Sequence, residues 1–154
     1  MKMKIAALAA GLLTAFAVAS PASAATSVPD DTVAAVSKQP GNIEQASDGW
    51  CHFHNWGGTF FCKGTGIDAV VWVKPDHYPQ VFVIGTNWHM YSRWSTASSV
   101  SGWQDMKGAC NPSYGLPARS SGWNITIACV GTDGNWWHTS RGNGNWSPWT
   151  RGGL

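Results

Sequence analysis

The sequence predicts an all-β protein of about two to three propeller-type blades, each a set of short antiparallel strands, stapled by disulfides. Three observations predict it. Helical periodicity is missing after Ser47, where short β-prone runs alternate with Gly, Asn, Pro and Ser clusters. A sequence unit recurs after about 46 residues, with Gly85-Thr86 falling on Gly131-Thr132 and Trp103 on Trp149. Four cysteines and eleven tryptophans lie after residue 47. A small two-sheet β-sandwich is the alternative.

The elements follow in order. Lys2 and Lys4, the apolar run 5–20 and the small-x-small Ala22-Ser23-Ala24 predict a secretory signal over 1–24 and a secreted protein. Residues 25–47 hold no aromatic residue and no cysteine and read as a flexible arm or pro-segment. The folded unit is expected over 48–154. Its strands are expected at "AVVWV" (69–73), "QVFVIG" (80–85), "HMYSRW" (89–94), "NITIACVG" (124–131) and "NWWHTS" (135–140). Cys51, Cys62, Cys110 and Cys129 allow three pairings in an oxidising compartment. Cys51–Cys62 and Cys110–Cys129 are favoured because each closes a short loop, expected within one structural unit.

The repeat has a physical logic. A single blade cannot bury both faces, so blades stack, and a large Trp near the end of each fills the gap. Trp56, Trp103 and Trp149 fall at nearly even beats and are assigned to packing, as is Trp72. The stretch "VGTDGNWWHTSRGNGNWSPWTRGG" resembles the repeats of the Photorhabdus lectin-like propeller lectins of bacteria and fungi. The residues that carry the resemblance are Gly131, Asp133, Gly134, Trp137, His138, Trp146, Trp149, Gly152 and Gly153. The upstream copy departs from the pattern at Asn87-Trp88, Ser92 and Val100. The resemblance implies a carbohydrate-binding protein. It also implies a homo-oligomer that completes a ring, expected as a trimer of two-repeat chains.

Composition excludes other classes. Ten Lys plus Arg stand against eight Asp plus Glu, and two of the lysines lie in the expected signal. No basic run marks a nucleic-acid or anionic-membrane surface, and membrane insertion is not expected. His52 and His54 between Cys51 and Cys62 do not match a common zinc spacing, so no metal is expected. Neither a carboxylate pair in a recognisable glycosidase setting nor a nucleophile elbow occurs. The chain therefore does not read as an enzyme, and no cofactor is implied.

The remaining tryptophans (Trp88, Trp94, Trp123, Trp136, Trp137, Trp146) stand beside polar residues, an arrangement suited to a sugar ring. Tyr91 and Trp137 occupy one repeat position, with Asn87 and Asp133 four residues before. They are the expected floors of two equivalent carbohydrate sites, with Arg93 and Arg141 as rim donors. The expected partner is a glycan or glycosylated surface. A secreted protein-binding module, such as a protease inhibitor or an antimicrobial or antagonist protein, is the alternative function.

Overall fold

The computed structural model describes residues 37–62, 69–142 and 144–154. The expected signal, and the arm as far as residue 36, lie outside the described residues.

Three antiparallel sheets follow one another along the chain. The first orders β1 (Ile43–Gln45), β2 (Trp50–Phe53) and β3 (Gly57–Phe61). The second orders β4 (Ala69–Val73), β5 (Pro79–Ile84), β6 (His89–Trp94) and β7 (Gln104–Ala109). The third holds β8 (Ala118–Ser121), β9 (Asn124–Val130), β10 (Trp136–Gly142), β11 (Asn145–Trp146) and β12 (Thr150–Arg151). Its order is β11-β10-β9-β8, and β12 also pairs with β10. The all-β class and the five expected strand runs are present. Three sheets replace the two of a sandwich, and the chain ahead of the recurring unit forms a sheet of its own.

The packing shows why the second sheet is central. Strand β5, "PQVFVI", is buried along its whole length. Successive side chains of a strand point to opposite faces. Val81 and Val83 accordingly join Cys51, Phe53, Trp56 and Phe60 of the first sheet. Phe82 and Ile84 join Ile125, Ile127 and Cys129 of the third. A strand buried on both faces reads as a continuous apolar run, and each of these side chains contributes roughly 1.5–3 kcal/mol on burial.

The junctions between sheets repeat too. Phe60 bridges Gly85, and Cys110 bridges Gly131. The disulfides are Cys51–Cys62 and Cys110–Cys129. The first stays within the first sheet. The second differs from expectation: Cys110 follows β7 and Cys129 lies in β9, so it joins the second sheet to the third. At the other junction the same places are taken by Phe60 and Val83, both buried.

One boundary requires correction. Residues 37–47, assigned to the arm, belong to the fold. Glu44 pairs with His52 across β1 and β2. Trp56 Nε1 donates to the Ser37 carbonyl at 2.7 Å, and Ser95 Oγ donates to the Lys38 carbonyl at 2.8 Å. A polar segment without aromatics gives no core signal, yet its backbone completes an edge.

Candidate functional site

The loop between β5 and β6, residues 85–89, and that between β9 and β10, residues 131–135, are the same turn. In each, the first N–H donates to the fifth carbonyl (Gly85 to His89, 2.9 Å; Gly131 to Asn135, 2.7 Å) and the fourth N–H to the first carbonyl. The third side chain accepts from the fifth N–H: Asn87 Oδ1 from His89 at 3.2 Å, Asp133 Oδ1 from Asn135 at 3.1 Å. Such side-chain-to-backbone bonds make Asn and Asp good turn residues.

The next strand brings an aromatic ring back over the turn. Asn87 Nδ2 donates to the Tyr91 hydroxyl at 3.0 Å, and Trp137 Nε1 donates to Asp133 Oδ1 at 3.1 Å. Each ring lies on the glycine that opens its turn. A β-carbon on Gly85 would sit 2.7 Å from the Tyr91 ring, and one on Gly131 2.8 Å from Trp137.

Opposite each ring stands a tryptophan that reaches back to the sheet before it. Trp103 lies against Gly58 and Trp149 against Gly108, both glycines with positive φ. Two clefts result. One of about 310 Å³, between the first and second sheets, is lined by Gly58, Thr59, Val83, Gly85, Thr86, Asn87, Tyr91 and Trp103. One of about 390 Å³, between the second and third, is lined by Gly108, Ala109, Cys129, Gly131, Thr132, Asp133, Trp137 and Trp149. Six of these eight pairs are 46 positions apart, from Val83/Cys129 to Trp103/Trp149. The other two, Gly58/Gly108 and Thr59/Ala109, are 50 apart.

The structure thus brings Asn87, Tyr91, Asp133 and Trp137 to equivalent clefts. It does not bring Arg93 or Arg141 to their rims. Arg93 turns inward: its Nε donates to the Ser101 carbonyl at 2.8 Å and its terminal nitrogen to the Trp56 carbonyl. The guanidinium lies 5.8 Å from the Trp56 ring centre and 5.9 Å from that of Trp103. Burial lowers its pKa. Arg141, at the far end of β10, donates to the Gln80 side chain at 3.0 Å and lines a separate groove with Trp123. The repeat position of Arg93 belongs to Thr139, which donates to the Ser147 carbonyl at 2.7 Å as Arg93 does to Ser101.

Sequence reasoning missed Gly58 and Gly108, and it assigned Trp103 and Trp149 to packing alone. Both tryptophans are half-buried cleft walls. They differ in one bond. Trp149 Nε1 donates to the Met106 carbonyl at 2.9 Å. Trp103 Nε1 is buried without a partner among the described residues.

The charge around the clefts also differs. Hydrogen bonds from the Asn135 side chain and backbone, then from Trp137, hold the Asp133 carboxyl below the usual carboxylate range. At the first cleft the neutral Asn87 takes that place. Beside it His89 meets Asp105 at 3.1 Å, whereas the matching pair at the second cleft is Asn135 and Arg151. Burial raises the Asp105 pKa, but bonds from Lys107 and His89 outweigh it and bring the group below its ordinary value. The first sheet carries two histidines beside its disulfide. His52 and His54 share Glu44, at 2.9 and 2.7 Å, while Cys51 and Cys62 are bonded to each other. Among the described residues no group of three or more His, Cys, Asp or Glu can hold a metal ion.

Each cleft offers two flat aromatic walls, a polar group fixed beside one of them, and glycine backbone at the base. Such a surface suits a small ring with an apolar face and polar edges. No protein-family model matches this chain, and no curated protein matches it.

Proposed function

We propose that this protein is a secreted carbohydrate-binding protein that holds sugar rings in two equivalent clefts, on Tyr91 and Trp103 in one and on Trp137 and Trp149 in the other. The observation that carries the reading is the match of eight lining positions between the clefts. A wall retained at both copies for packing alone would not need a polar group bonded to its edge each time. An indole or phenol face stacks on the C–H face of a sugar, while Asp133 and the Tyr91 hydroxyl take hydroxyl groups. Two weak sites on one rigid body give avidity on a dense glycan surface. The reading involves no catalytic step: Asp133 and Asp105 are both engaged by hydrogen bonds to their own neighbours. Export over a leader at 1–24 agrees with two disulfides. Among the described residues no helix is long and apolar enough to cross a membrane.

A glycan array probed with the mature chain tests this. Retention is expected, and Trp137→Ala should weaken it by on the order of 1–2 kcal/mol at the second cleft without unfolding the protein. Absence of retention on every printed sugar, or unfolding of Trp137→Ala, overturns the reading. The exposed Tyr114, Trp123 and Trp136 lie outside both clefts and favour a protein partner instead. Capture of a protein ligand that survives Trp137→Ala would establish that alternative.

Assembly into a ring belongs to the same proposal. Closed propellers use about four to eight blades. Three sheets per chain make two copies, rather than the expected three, the number that closes a six-bladed ring. Light scattering at micromolar concentration should give the mass of a dimer, and a monomer would sink the ring.

A further inference from the structure

The turn that builds each cleft occurs a third time, in the first sheet. At residues 46–50 the Ala46 N–H donates to the Trp50 carbonyl at 2.8 Å, the Gly49 N–H to the Ala46 carbonyl at 3.1 Å, and Asp48 Oδ1 accepts from the Trp50 N–H at 3.1 Å. Three copies can therefore be compared at every position. The fourth residue is left-handed in all of them, with φ of 88° at Gly49, 68° at Trp88 and 76° at Gly134. Only glycine takes that conformation without steric cost, and a bulky side chain there is strained. The fold asks for glycine, two copies have it, and the third has the largest side chain available.

Burial does not compensate for this choice. Trp88 is 43 % exposed. Its carbonyl accepts the Cys110 N–H at 2.8 Å, a backbone bond that any residue could make. Strain held at an exposed position points from the outlier to a function. The preceding residue, Asn87, lines the first cleft, so Trp88 stands one position along a clamped turn from that lining. A rigid aromatic group loses little entropy when it is covered.

Resting on the carbohydrate reading, we propose that Trp88 carries a second sugar ring of a glycan whose first ring lies in the first cleft. That cleft then takes a disaccharide or longer chain, while the second, with Gly134 at the matching place, takes one ring. The two sites differ in the length of ligand they accept, and a single residue makes the difference.

Trp88→Gly tests this, because the same turn already tolerates glycine twice. The mature protein and the variant are applied to an array of printed mono- to tetrasaccharides, and their melting temperatures are measured. The native chain should prefer the longer glycans to their terminal monosaccharide by about tenfold, the factor worth 1.4 kcal/mol. The variant should lose that preference to within about twofold, keep its monosaccharide retention, and melt at the same temperature or a few degrees higher. A lower melting temperature would make Trp88 a packing residue and overturn the proposal. So would an unchanged preference for length, or an equal loss on all sizes. Absence of retention by the native protein fells the carbohydrate reading together with this inference, whereas retention with an indifferent Trp88→Gly fells this inference alone.

Discussion

The first cleft and the second share a plan and differ in what holds them. The turn, the ring on its opening glycine and the tryptophan reaching back are common to both. Behind the first cleft the sheets meet through Phe60 and Val83; behind the second, at the matching positions, through Cys110 and Cys129. One junction is held by buried apolar surface and the other by a covalent bond. The difference teaches that the constraint at this place is distance between sheets. A phenylalanine against a valine and a cystine each span it, and each leaves the cleft above it open.

That comparison sets the largest predicted effect. Phe60 is completely buried, and Phe60→Ala should cost about 3–5 kcal/mol through lost burial and the cavity left behind. Replacing Cys110 and Cys129 by alanine should cost about 2–4 kcal/mol, since the bond closes a short loop of sequence separation 19. Urea unfolding of both variants, each with and without reductant, measures the two. Phe60→Ala should leave the second junction sensitive to reductant, and the cysteine variant should leave the first junction intact. A cost below about 1 kcal/mol for Phe60→Ala would show that the first junction does not depend on that side chain.

Much of this plan is legible in the sequence, because the repeat keeps 46 residues wherever the core is most confined. Strand β5 shows as a run of apolar residues buried on both faces, and Tyr91 and Trp137 show as one position. What is hidden has physical causes. Strand β8, "ARSS", is exposed throughout and β1, "IEQ", likewise, so neither carries an alternating pattern. The turn at 46–50 is hidden because it stands 39 positions before its copy at 85–89, out of step with the 46-residue repeat. Gly58 and Gly108 are 50 apart, since the chain from Gly58 to Gly85 is four residues longer than that from Gly108 to Gly131. The different places of the two arginines are legible in their spacing. Arg93 and Arg141 are 48 apart, two positions out of step with the repeat, and a shift by two along a strand keeps the face but changes the neighbours.

The smallest predicted effect sharpens the comparison between the two turns, which differ in Asn87 against Asp133. Both side chains accept the N–H that closes the turn, so Asp133→Asn should keep the turn. It should remove the charge. Bonds from Asn135 and Trp137 favour the ionised carboxyl, and its folded pKa is lowered. A group whose folded pKa is depressed contributes stability above its unfolded value and loses it as pH falls through the folded one. The native protein should therefore melt slightly above Asp133→Asn at neutral pH, and the gap should close as acid takes the solution below the ordinary carboxylate range, at about pH 4. Glu44, Asp76 and Asp105 also have lowered values, but they are present in both proteins, so the difference between the two melting curves isolates Asp133. The matched change in the first turn, Asn87→Asp, should open a gap with the same sign if the Tyr91 hydroxyl turns to donate to the new carboxylate as Trp137 does. A gap that stays constant from pH 7 to pH 2 would mean that the Asp133 charge contributes nothing, and that the two turns differ only in shape.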